Sequence, residues 1–156
     1  MINKASMADG ILFRYENDSD ETVIFNFYTW VGMLKAIIVK YAQKSESDAE
    51  LLVLSSSLVC KPIRSYMAVC LRSNEIEYHW AMLIAYGEQY WLKGVESKQP
   101  DGYFDWDVQH RKEHNLAEEA LFLAIHELRP DRVKHPSKCP TPSLSYIPQT
   151  KYPMSH

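Results

Sequence analysis

The stretch Asn74–Gly94, NEIEYHWAMLIAYGEQYWLKG, constrains the fold more than any other part of the chain. Ile76, Trp80, Leu83, Ile84, Gly87, Tyr90 and Trp91 recur at the spacing of one helical face. Tyr78, Ala81, Met82, Ala85 and Tyr86 make the opposite face apolar as well, leaving Glu77, Glu88, Gln89 and Lys93 to meet water. A helix that is apolar nearly all round packs on more than one side. Asn74 and Glu77 stand three apart, as in a capping box, while Lys93 and Gly94 suit a helix C-terminus. At about 1.5 Å per residue such a helix runs roughly 28 Å, the width of a small domain. The pattern predicts a buried central helix over 75–93.

The flanking segments read mainly as helices. Val23, Phe27, Trp30, Val31, Leu34, Ile38 and Tyr41 fall on one stripe, predicting a helix from about Ser19 to Gln43. The rival for residues 11–31 is a hairpin: Ile11–Tyr15 alternates, ENDSD is turn-rich, and Thr22–Val31 is β-branched and aromatic. Ser47 and Glu50 suggest the start of a further helix, which Pro62 must end because proline lacks the donor N–H and clashes with the preceding turn. Pro62 also suits a first helical position, opening a helix to Leu71. Residues 95–106 read as a loop with a Pro-Asp-Gly turn, and about Asp107–Leu128 as a last helix with a break at Asn115. Six of the eight prolines lie beyond Arg129, so residues 129–156 read as an extended arm docked on a 1–128 helical domain. Tyr146, Ile147 and Tyr152 are its natural anchors.

Charge divides the chain at the same place. Arg129, Arg132, Lys134, Lys138 and Lys151 against Asp131 give +4 over 129–156, leaving −7 for the first 128 residues of a chain whose net charge is −3. An acidic body opposes nucleic acid, leaving the arm as the one basic candidate for it. No apolar run approaches the ~20 residues of a membrane span. Cys60, Cys70 and Cys139 are odd in number and lack metal-site spacing, which favours a reducing, cytoplasmic setting over a disulfide scaffold. The contexts of Cys60 and Cys70 are those of small core residues.

Several short motifs carry candidate chemistry. His110-Arg-Lys-Glu-His114 resembles the H-x-x-E-H motif of inverted zinc peptidases, in which two histidines hold zinc and the glutamate is the base. That resemblance covers five residues and leaves little room for a distant acidic ligand. His79 on the central helix adds a third imidazole, and a site of His79, His110 and His114 would resemble the small helical metalloproteins of the DinB type, holding a divalent transition metal. Arg72 and His79 give an R-x6-H spacing similar to the outer limit seen in helical HEPN-type ribonucleases. Ala68–Arg72 with Tyr78–Trp80 faintly resembles a segment of viral and phage pyrimidine-dimer glycosylases, without that family's upstream acidic and histidine motifs. The bland reading of His79 is a hydrogen-bonded boundary residue, and of His110 and His114 a solvated helix face. Glycines are scattered singly, so no phosphate-cradling loop is present.

The expected fold is mainly α: a single-domain bundle of four to six helices around the 75–93 helix, with a small N-terminal β element as an option. Tyr103, Phe104 and Trp106 with Asp105 and Asp107 read as an acidic-aromatic interface for a basic protein partner, since Tyr and Trp bury much area at little entropy cost. Its competing reading is a loop tucked down by its own aromatics. The function this favours is a non-enzymatic protein-binding module without a cofactor, such as a bacterial or phage accessory, inhibitor or immunity-type protein. The alternative is a small helical metal-dependent hydrolase or nuclease-like protein using the histidine cluster.

Overall fold

The computed structural model describes residues 7–125, which form a mainly helical fold with a small three-stranded sheet. Strands β1 (Ile11–Tyr15) and β2 (Asp18–Phe25) form an antiparallel hairpin, and β3 (Leu121–Ile125) adds to the far side of β2. Between β2 and β3 lie six helices: α1 (Phe27–Tyr41), α2 (Glu46–Ser55), α3 (Ser57–Cys60), α4 (Tyr66–Ser73), α5 (Glu77–Tyr86) and α6 (Tyr103–Glu113). A 3-10 turn, Tyr90–Lys93, follows α5.

The hairpin replaces the first half of the helix expected over 19–43. Val23 and Phe25 enter the core from one face of β2, opposite Phe13 and Ile11 of β1, a period-2 arrangement that the helical stripe had masked. Asn26 is where the period changes. Its side chain accepts from Gly10 N and donates to the Glu119 carbonyl, and its N–H donates to the Ala120 carbonyl, so it ties both outer strands to the start of α1. The free N–H groups of α1 are met from upstream: Tyr28 N–H donates to the Ala8 carbonyl, and Thr29 N–H to Asp9 Oδ1 at 2.9 Å. The Thr29 hydroxyl donates to Asp9 Oδ2 and accepts from Ala117 N–H.

Helix α1 takes the central place that the sequence assigned to residues 75–93. It buries Trp30, Val31, Met33, Leu34, Ile37 and Ile38, and both α2 and α5 pack along it. The 75–93 segment is not one helix. It ends at Gly87, whose φ of 83° and ψ of −178° stop α5, and Lys93 returns to cap it by donating to the Tyr86 carbonyl at 2.6 Å. Its expected N-cap, Asn74, closes α4 instead; Ile76 stands at the N-cap of α5 and brings no side-chain bond. Helix α5 buries Tyr78, Ala81 and Met82, while Trp80, Ile84, Ala85 and Tyr86 pack half-buried against the core.

Four further expectations are corrected. Ser45, not Ser47, caps α2, and Ser65 rather than Pro62 opens α4, each through a backbone N–H three residues on. Tyr103–Trp106 begin α6 instead of closing a loop. The helix expected to Leu128 breaks at Asn115, in the left-handed region at φ 52°, and resumes as strand β3. Leu116 reaches Gly32, where an added Cβ would lie 3.8 Å from both its methyls. The extended arm over 129–156 lies outside the described residues.

Candidate functional site

Helix α6 carries most of the residues singled out from the sequence, and it divides them into an inner and an outer set. On the inner side Tyr103 is 3 % exposed, with its ring against Tyr41, Tyr78 and Trp106. Its hydroxyl is buried without a hydrogen-bond partner among the described residues, and burial, with Glu77 and Asp107 nearby, raises its pKa. Trp106 is half-buried, edge-on to Tyr41 at 5.3 Å, and the Lys40 ammonium lies 5.4 Å from its ring centre. These aromatics seal the joint between α1, α5 and α6.

Beside them sits a buried ion network. Arg111, 5 % exposed, donates from Nε to Asp107 Oδ2 at 2.8 Å and from a terminal nitrogen to Glu77 Oε1 at 2.9 Å. Its other terminal nitrogen reaches the Ala117 carbonyl at 3.2 Å. Asp107, expected in an interface, is thus spent on holding Arg111. The bond to Glu77 fixes α6 to α5, and the bond to Ala117 fixes the turn toward β3. The sequence reading passed over Arg111, although an Asp-x-x-x-Arg pair one turn apart on a helix was a visible signal.

The three histidines separate. His79 pairs Nδ1 with the Tyr90 hydroxyl at 3.0 Å and lies beside Trp80 and Trp91. His110 and His114 come together, with ring centres 3.9 Å apart and planes 28° from parallel. The His114 Nδ1–H donates to the His110 carbonyl at 2.9 Å, and His110 continues the stack onto Trp106. Nearly parallel stacked rings do not converge their in-plane lone pairs on one ion, and among the described residues no group of three or more His, Cys, Asp or Glu is placed to hold a metal. Burial, with His114 next, lowers the His110 pKa.

The other motif residues are likewise occupied. Arg72 donates to the Leu58 and Ala68 carbonyls, and its own carbonyl accepts from the Trp80 indole N–H. Cys70 is buried, whereas Cys60, expected in the core, is exposed at the end of α3; Cys139 lies outside the described residues.

What remains open is the outer side of α6. Phe104 and Val108 are 64 % and 58 % exposed and stand one turn apart, hence on one face. Asp101 and Asp105 are exposed beside them. At the start of the helix Pro100, Asp101, Gly102, Phe104 and Asp105 line an open depression of about 360 Å³. An apolar pair flanked by carboxylates and a shallow recess can seat a side chain from another molecule. No model of a known protein family, no curated protein and no solved structure matches the chain.

Proposed function

We propose that the protein is a non-enzymatic binding module and that it grips a basic protein partner through the outer face of α6. The observation that carries this reading is the exposure of Phe104 and Val108 on a helix whose inner face is fully engaged. Large apolar residues next to each other on a surface cost free energy in water at roughly 25 cal/mol per Å² unless a partner covers them. Asp101 and Asp105 define the chemistry of that partner: an apolar side chain for the recess, with Lys or Arg on either side. The −7 charge of the first 128 residues would speed the approach of such a partner and make its capture salt-sensitive.

The expected behaviour is that a partner retained by the wild-type chain is lost by the Phe104→Ser/Val108→Ser double variant and weakened by Asp105→Asn. A Trp91→Ser/Leu92→Ser variant, altering an exposed apolar pair elsewhere, should retain it. Quantitative affinity capture with the wild type and all three variants checks this. Equal retention by all four chains excludes the α6 face.

A further inference from the structure

We propose that the partner of the α6 face is a second copy of this chain, which docks through the exposed face of its α4. This rests on the reading of α6 as a binding face and names what that face binds. Helices α4 and α6 open alike, with RSYMAVCL over 64–71 and DGYFDWDV over 101–108. Ser65 and Gly102 are their N-caps, and each is followed by a buried tyrosine, Tyr66 or Tyr103. Next comes an exposed apolar side chain, Met67 at 36 % in α4 and Phe104 in α6. One turn later on the same face stands another, Leu71 at 50 % in α4 and Val108 in α6. The residue ahead of each cap is exposed and carries opposite charge in the two helices, Arg64 in α4 and Asp101 in α6.

Charge complementarity selects the occupant. The stretch 51–74 holds Lys61, Arg64 and Arg72 and no Asp or Glu, within a body that sums to −7. Lys61 and Arg64 are exposed, and among the described residues neither pairs with a carboxylate. Arg72 donates to the backbone carbonyls of Leu58 and Ala68 alone. Asp101 and Asp105 on α6 are likewise without a cationic partner among the described residues. The α4 face therefore supplies what the α6 face asks for, apolar side chains with Lys and Arg beside them. Laid together, Met67 and Leu71 cover Phe104 and Val108 while Lys61 and Arg64 meet Asp101 and Asp105. Met67 is unbranched and adaptable, which suits the open recess beside Phe104. The contact joins unlike surfaces, and every copy offers one of each. Two apolar pairs make a small interface, so the dissociation constant should be about micromolar or weaker.

The test is sedimentation velocity of the full chain over a concentration series, at low and at high salt. Wild type should shift from monomer toward larger species as concentration rises, and high salt should weaken the shift. Lys61→Glu/Arg64→Glu and Asp101→Lys/Asp105→Lys should each stay monomeric where wild type associates, because like charges then face each other. An equimolar mixture of the two variants should associate again, since the acidic α4 face of one meets the basic α6 face of the other. Far-UV circular dichroism identifies any charge variant that loses the fold. Met67→Gln/Leu71→Gln then carries the test and should weaken association at least ten-fold. Association that survives these variants, or a mixture that stays monomeric, overturns the proposal. A wild-type chain that is monomeric at every concentration overturns it too. The α6 reading then stands by itself if a foreign partner is still lost with Phe104→Ser/Val108→Ser.

Discussion

The Arg111 guanidinium makes four hydrogen bonds, two to Asp107, one to Glu77 and one to the Ala117 carbonyl, and so uses most of its five N–H donors. Removing it leaves two poorly solvated carboxylates facing each other. Arg111→Ala should therefore destabilise by about 3 kcal/mol, and Arg111→Lys should recover only part, because an ammonium cannot present parallel N–H bonds. Urea titration of the three chains checks the order. The triple change Arg111→Met/Glu77→Gln/Asp107→Asn should lie closer to wild type than Arg111→Ala does, because no unpaired charge remains. A second residue-level prediction concerns His110. Burial and His114 depress its pKa below the ordinary 6.5, so the folded chain holds it neutral while the unfolded chain takes up a proton. As pH falls below 6.5 the unfolded state binds more protons, and stability declines until the folded pKa is passed. The urea midpoint should drop between pH 7.5 and pH 5.5 more in the wild type than in His110→Gln. Identical pH slopes would remove the effect from His110.

Helix α5 and helix α1 show at the level of elements what was legible in the chain. Of the stripe's last residues Tyr90 is buried but Trp91 is exposed, and Gly87, on the same stripe, looked like a small packing residue. Its φ of 83° with ψ near 180° is a backbone conformation that residues with a Cβ avoid. Gly87→Ala should cost on the order of 1–3 kcal/mol by thermal denaturation; a neutral result would mean that α5 can continue toward Tyr90 as the stripe suggested. The start of α1 was illegible for a different reason. Capping signatures are local, whereas Thr29 N–H is met by Asp9, twenty residues upstream. Asp9→Ala should cost about 1–2 kcal/mol, and Thr29→Val a similar amount, with less than additive loss in the double variant. The 121–125 strand was read as helix because a short apolar run has no period of its own; the partner edge of β2 decides it. The candidate aromatics, read as a loop over 95–106, begin helix α6. Phe104 and Asp105 are exposed there, but Tyr103, Trp106 and Asp107 serve the fold, a division made by which side of α6 meets α1 and α5.

At the scale of the molecule, the sheet is assembled from both ends of the described chain, since β2 lies between a neighbour two residues away and one nearly a hundred residues on. Val23 sits fully buried in that sheet, opposite Phe13 on one side and Leu123 on the other, and belongs to the same cluster of buried side chains as Trp30, Ile38, Val53, Tyr78 and Tyr103. Such a cluster leaves no boundary at which the hairpin could separate from the helices. Val23→Ala should then lower global stability by about 2 kcal/mol through lost burial and the cavity left behind. The loss should be shared by every part of the fold. Helical ellipticity reports α1 to α6, and tryptophan emission reports Trp30 near the sheet, Trp80 between α5 and the end of α4, and Trp106 at the joint with Tyr41, along with the exposed Trp91. The two signals should move to the same lower urea midpoint, because a single core unfolds as one transition. Should the emission change split, with helical signal persisting after the sheet is lost, β1–β3 would be a separate unit. Long-range closure by β3 would then add stability only to the strands it pairs with.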